Sequence, residues 1–74
     1  MTGAGLQLNH LPDVLQELFH RVHAKHLKMM GTDERAKHSI ENVTRVLWDE
    51  EEQCLKVYYK EGDWWHYTAS GEFY

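Results

Sequence analysis

The chain has few of the staples that small proteins rely on. Its 74 residues include one cysteine, Cys54, so an intrachain disulfide is excluded. One proline and five glycines rule out collagen-like order and proline- or glycine-rich disorder. No apolar run approaches the ~18 residues that a membrane-spanning helix needs. The opening Met1-Thr2-Gly3-Ala4-Gly5 lacks a basic region followed by an apolar stretch, so it does not read as a secretory signal. A lone thiol and no such signal give the expectation of a cytoplasmic location. There is no glycine-rich loop to cradle phosphate and no nucleophile elbow. The expectation is a protein that is not an enzyme and needs no cofactor.

What is present reads as one folded domain. Hydrophobic residues make up 42% and charged residues 27% of the chain, both ordinary for globular proteins. A chain this short hides only ~60% of the surface its unfolded form exposes. A metal, a partner subunit or good packing must then complete its stability. The net charge of −4 is unevenly placed. Residues 1–38 carry +1 and five of the six histidines, while residues 39–74 carry −5 and eight of the nine aromatic residues. Generic nucleic-acid binding needs a basic patch, and the acidic second half argues against one there.

The pattern of residues predicts a flexible segment over 1–9 and a single α+β domain over 10–74. A helix is expected from about Leu11 to Met30. Pro12 suits its first turn, Asp13 and Glu17 suit the positive end of the helix dipole, and Lys25 and Lys28 suit the negative end. Gly31 suits the position just past the helix. At 100° per residue, Leu11, Leu15, Leu18, Val22 and Met29 share one stripe, with Asp13, Glu17, His20 and Lys28 opposite. Thr32-Asp33-Glu34-Arg35 has the makings of a short capped helical turn.

After residue 39 the period changes to two. Val43–Trp48, Cys54–Tyr59 and Trp64–Thr68 read as strands. Asp49-Glu50-Glu51-Glu52 reads as a charged connection. Lys60-Glu61-Gly62 reads as a tight turn in which Gly62 supplies a positive φ. That turn pairs Tyr59 with Asp63 and Val57 with Trp65. Leu55, Val57, Tyr59, Trp65, Tyr67 and Ala69 then share the face that meets the helix, joined by Val46 and Trp48. Lys56, Tyr58, Lys60, Trp64, His66 and Thr68 share the other face. The expected architecture is an N-terminal amphipathic helix packed on a three-stranded antiparallel meander.

Within residues 43–73, Val43, Val46, Trp48-Asp49, Leu55-x-Val57-x-Tyr59, Gly62 and Trp65-x-Tyr67 form a recognisable pattern. The tail Ala69-Ser70-Gly71-Glu72-Phe73 extends it. The pattern resembles the small KTSC-like domain found at the C-terminus of some lysyl-tRNA synthetases and as a stand-alone bacterial or phage protein. Trp65 stands where that family usually has Tyr. The helical segment that follows the aromatic strand in the family is missing here, and the helix before residue 31 is not part of the family pattern. The resemblance implies an RNA-binding role.

Several groups of residues could carry chemistry. His20-x-x-His23-x-x-His26 places neighbouring imidazoles on one helix, with His38, His66, Cys54 or a carboxylate as further metal ligands. The three rings span about 120° of helix surface, which is wide for one ion, and paired Cys/His spacing is absent. The expectation is a solvated His20, a hydrogen-bonded core His26, and no metal. Cys54 has Glu51, Glu52 and Gln53 as sequence neighbours, which disfavour a thiolate, so it reads as an ordinary strand residue. The outer sheet face, with Tyr58, Trp64 and His66 flanked by Lys56 and Lys60, suits base stacking, a protein interface, or plain packing by the C-terminal Phe73-Tyr74. Glu50, Glu51 and Glu52 at the hairpin tip suit a basic partner surface. A protein-binding module of bacterial or phage accessory type, inhibiting or adapting a larger partner, is the leading expectation. An RNA-binding module and a histidine-cluster metal protein are the alternatives, and a second copy of the chain is a further candidate to cover the aromatic face.

Overall fold

The computed structural model describes residues 8–74. Its element order is α1 (Asp13–Lys28), α2 (Thr32–Lys37), a 3-10 turn (Ile40–Asn42), β1 (Val43–Asp49), β2 (Cys54–Tyr59) and β3 (Trp64–Thr68). The three strands form one antiparallel sheet in the order β1-β2-β3. The α+β class, the helix and the three strands are as expected from sequence. Of the segment expected to be flexible, residues 1–7 lie outside the described residues. Leu8 packs against the core, and its carbonyl accepts the Leu11 N–H at 2.9 Å.

α1 starts one residue later than its proline. Pro12 sits at the N-cap, and its carbonyl accepts from Leu15 and Gln16 at 2.9 and 3.0 Å. Asp13 in the first turn and Lys25 and Lys28 in the last turn match the helix dipole. The buried residues of α1 are Leu18, Phe19, Val22, His23 and His26. At 3.6 residues per turn these cover an arc of about 140°, centred close to His26. Met29 departs from the expected stripe: it is 75% exposed, because the helix ends at Lys28 and Met29 is its C-cap.

The sheet explains which of its side chains are inside. Pairing of β1 with β2 shifts between Val43 and Arg45, so the intervening Thr44 is an extra residue in the strand. Such a bulge lets Val43 and Val46, three residues apart, face the same side, and both are buried. Trp48 follows Val46 inward and packs against the core. Across β2 and β3, Leu55 pairs with Tyr67 and Val57 with Trp65. Leu55, Val57, Tyr59 and Tyr67 are buried against Leu18, Phe19 and Val22 of α1. Ala69 does not join this face: β3 ends at Thr68, and Ala69 lies exposed in the turn that follows.

Two turns close the sheet. In the β2–β3 turn, the Tyr59 N–H donates to Asp63 O at 2.9 Å and Gly62 has φ +97°. Beyond β3, the chain folds back along the free edge of that strand. The Thr68 N–H donates to Glu72 O at 2.7 Å, His66 N–H to Tyr74 O at 2.8 Å, and Tyr74 N–H to His66 O at 3.0 Å. This short return covers the edge. It sends Phe73 inward beside His26, with ring centroids 4.4 Å apart, and sends Tyr74 to the outer face.

Candidate functional site

The outer face of the sheet carries a continuous row of rings. Tyr58 and Trp64 are cross-strand partners, stacked with centroids 5.7 Å apart and planes 18° from parallel. Trp64 meets His66 at 4.8 Å. His66 stacks on Tyr74 at 4.3 Å, with planes 5° apart. Trp64 is 47% and Tyr74 62% exposed, so the row presents aromatic surface to its surroundings. Tyr58, Trp64 and His66 are thus brought together as their alternation predicts. Of the C-terminal pair expected to pack here, Tyr74 joins them because the tail pairs with β3, while Phe73 turns inward to His26.

The charged residues of this face are arranged less favourably for a polyanion. Lys56 Nζ lies 2.9 Å from Asp49 Oδ2, so its charge is already met. Asp49 is held below the ordinary carboxylate range, first by the Glu52 N–H it accepts and then by Lys56. Lys56 is correspondingly pushed up by Asp49. Lys60 is exposed in the β2–β3 turn, and its backbone N–H donates to Asn42 O at 2.8 Å. At the β1–β2 tip, Trp48 Nε1–H donates to Glu50 Oε1 at 2.9 Å, and Glu50, Glu51 and Glu52 are exposed. The acidic tip therefore stands at one end of the aromatic row.

Glu52 and His66 also approach Cys54. Glu52 Oε1 is 3.8 Å from Cys54 Sγ and 3.6 Å from His66 Nε2. The three residues present ligand-type atoms all within 4.8 Å of one another. Sequence reasoning placed each residue singly and did not bring them together. Cys54 is fully buried, and burial, then the Glu52 and Asp49 carboxylates, push its thiol up. A buried thiol facing a carboxylate is a poor nucleophile.

Two of the three helical histidines, His23 and His26, are spent on structure. His20 is exposed. His23 stacks on Phe19 at 5.2 Å, and its Nε2–H donates to His38 O at 2.8 Å. His26 is 2% exposed, with Nδ1 2.9 Å from the Tyr67 hydroxyl, which is itself 2.8 Å from that of Tyr59. Burial holds His23 below its usual value and brings His26 down to about 4, with His38 and His23 adding to the effect on His26. Burial likewise raises both tyrosines.

A hollow of about 360 Å³ opens beside this cluster, lined in part by His26, Met30, Glu34, His38, Trp65 and Phe73. Its histidine–carboxylate pair is internally engaged: His38 Nδ1–H donates to Glu34 O at 2.8 Å, and Nε2 lies 3.0 Å from Asp63 Oδ2. His26 Nε2 has no hydrogen-bond partner among the described residues. Sequence reasoning missed this His38–Asp63 link, which joins the residues after α2 to the β2–β3 turn. No helix among the described residues is long and apolar enough to cross a membrane. No protein-family model, curated protein or solved structure matches the chain.

Proposed function

We propose that this chain is a small, non-enzymatic protein-binding module of the cytoplasm, an adaptor or inhibitor of bacterial or phage type that acts on a larger partner. The observation that carries this reading is the row Tyr58–Trp64–His66–Tyr74 on the outer sheet face. Half-exposed aromatic side chains held rigid by their neighbours offer large contact area at little entropic cost, and Trp and Tyr are enriched among binding hot spots. The partner is a protein surface with an apolar cleft and basic residues at its rim. The cleft matches Trp64 and Tyr74, and the basic rim matches the tip Glu50-Glu51-Glu52. RNA is the weaker fit, since Lys56 is already paired with Asp49 and the net charge is −4.

The test is affinity capture from the native host with and without nuclease, using the unaltered chain and Trp64→Ala. Capture that survives nuclease and is lost with a folded Trp64→Ala supports the reading. Nuclease-sensitive capture, or tight and salt-sensitive binding to generic single-stranded RNA, overturns it in favour of RNA. A homodimer dissolved by Trp64→Ala would make the partner a second copy and would also overturn it.

A further inference from the structure

We propose that Glu52, Cys54 and His66 form a zinc site with three protein ligands and one open coordination position. This site departs from the sequence expectation of no metal, uses none of the helical histidines, and does not depend on the partner-binding reading. Tetrahedral zinc with Zn–S of ~2.3 Å and Zn–N and Zn–O of ~2.0–2.1 Å separates its ligand atoms by ~3.4–3.6 Å. The Sγ–Oε1 distance of 3.8 Å and Oε1–Nε2 distance of 3.6 Å fall close to that range. The remaining edge, Sγ to Nε2, is within 4.8 Å. Thiolate, imidazole and carboxylate together favour zinc over magnesium or calcium, which take oxygen ligands.

The charges also balance. A thiolate and a carboxylate offset the two positive charges of the ion, leaving a neutral group where Cys54 is fully buried. Binding breaks the Cys54 S–H bond, forms an S–Zn bond and releases the proton to solvent, with no change of oxidation state. A divalent ion between Glu52 and Cys54 replaces the thiol's hydrogen bond to the carboxylate with shared ligation and screens the thiolate from the carboxylate charge.

Local backbone structure holds the ligands in place before any ion arrives. Cys54 opens β2, and His66, paired with Lys56, is its diagonal neighbour on the same face. Gln53 takes φ +55°, and this left-handed residue folds Glu52 back toward the sheet. Gln53 Nε2–H donates to Glu50 O at 2.7 Å and secures the turn. The His66 ring is stacked on Tyr74 and flanked by Trp64. Its Nδ1 lies 3.4 Å from Tyr74 O, so Nδ1–H donates to that carbonyl and Nε2 presents its lone pair toward Glu52 and Cys54. A second partner of this kind fixes tautomer and orientation in metal-bound histidines. Glu52 is exposed, which leaves the fourth position open to water or to a donor from outside the chain.

The test is a titration of the reduced, metal-free protein with Co²⁺, followed by displacement with Zn²⁺. The expected result is saturation at one ion per chain, thiolate-to-cobalt charge-transfer absorption, visible bands of tetrahedral intensity, and bleaching by zinc. Glu52→Gln and His66→Gln should each weaken binding at least about tenfold, while His20→Gln should leave it unchanged. Cys54→Ser should abolish the charge-transfer band. Because Cys54 is in the core, the two surface variants carry the test if that one fails to fold. Absence of the charge-transfer band in the unaltered protein would overturn the site. So would binding that is lost in His20→Gln but kept in Glu52→Gln and His66→Gln.

Discussion

Acid should destabilise this protein through His26, beginning well above the pH at which its carboxylates are protonated. His26 is closed in by Trp65 at 4.3 Å, Phe73 at 4.4 Å and Tyr67 at 5.6 Å between ring centroids. An imidazolium there would sit among apolar rings with His38 and His23 as its titratable neighbours, and its pKa falls from 6.5 to about 4. The unfolded chain takes up this proton near pH 6.5, while the folded chain resists it until near pH 4. Lowering the pH through that window therefore favours the unfolded state. The stability is fully present above pH 6.5 and is lost progressively toward pH 4, by about 3 kcal/mol in all, with a limiting slope of ~1.4 kcal/mol per pH unit. His23, lowered by burial as well, acts in the same direction. Asp49 acts in the same direction but mainly at the acid end, because the unfolded carboxyl takes up its proton around its ordinary value of 3.8 while the folded one resists it.

The measurement is urea unfolding followed by tryptophan fluorescence, repeated across pH 6.5 to 4 for the unaltered chain and for His26→Leu. Leucine keeps the apolar contacts with Trp65 and Phe73 but cannot take a proton. It gives up the bond to the Tyr67 hydroxyl, whose link to Tyr59 remains. Near neutrality the variant should be weaker by about 1 kcal/mol for the lost hydrogen bond. Toward pH 4 the order should reverse, with the variant the more stable of the two. Parallel stability curves for the two proteins would refute the reasoning, because they would show that His26 takes up its proton equally well folded and unfolded.

Four further outcomes are expected. Val57→Ala, at a fully buried position facing α1, should cost about 2 kcal/mol of unfolding free energy through lost burial and a cavity. Trp64→Ala should cost less than about 1 kcal/mol, and chemical denaturation giving the opposite ranking would mean the two sheet faces are wrongly assigned. Gly62→Ala should destabilise by about 1 kcal/mol, measured by the thermal midpoint. No atom lies within 4 Å of the added Cβ, so only the φ of +97° resists it. Reversing the tip with Glu50→Lys and Glu51→Lys should slow association with the captured partner and leave the melting temperature nearly unchanged. Faster association would show that the partner is not basic.

Much of the fold is legible in the residues, because the sheet is coded twice. Alternation assigns a face to each of Leu55, Val57, Tyr59, Trp65 and Tyr67. The turn at Gly62 then fixes the register that puts Val57 opposite Trp65. The helix was harder to read, since polarity is a poor guide to its buried arc. Phe19 and His23 extend that arc past the aliphatic stripe, while His26 lies against the stripe and is the hydrogen-bonded core histidine its position implies; each histidine finds a partner far along the chain, His38 O for His23 and the Tyr67 hydroxyl for His26. Periodicity alone placed Met29 on the stripe, yet the helix stops before it and leaves it exposed.

The candidate sites are less legible, for a definite reason. Alternation brings Tyr58, Trp64 and His66 together, but the addition of Tyr74 to that row and the Glu52–Cys54–His66 cluster both depend on chain reversals that no periodic pattern records. Gln53 enters the left-handed region without being a glycine, and only that turn brings Glu52 back over Cys54. The tail pairs with β3 through main-chain groups, which carry no side-chain signature, and only that pairing sets Tyr74 against His66. His66 lies at the junction of the two reversals, with Tyr74 behind its ring and Glu52 ahead of its Nε2. Any substitution that frees the tail should therefore disturb the aromatic row and the proposed metal ligand together, whereas Glu52→Gln should disturb the metal ligand alone.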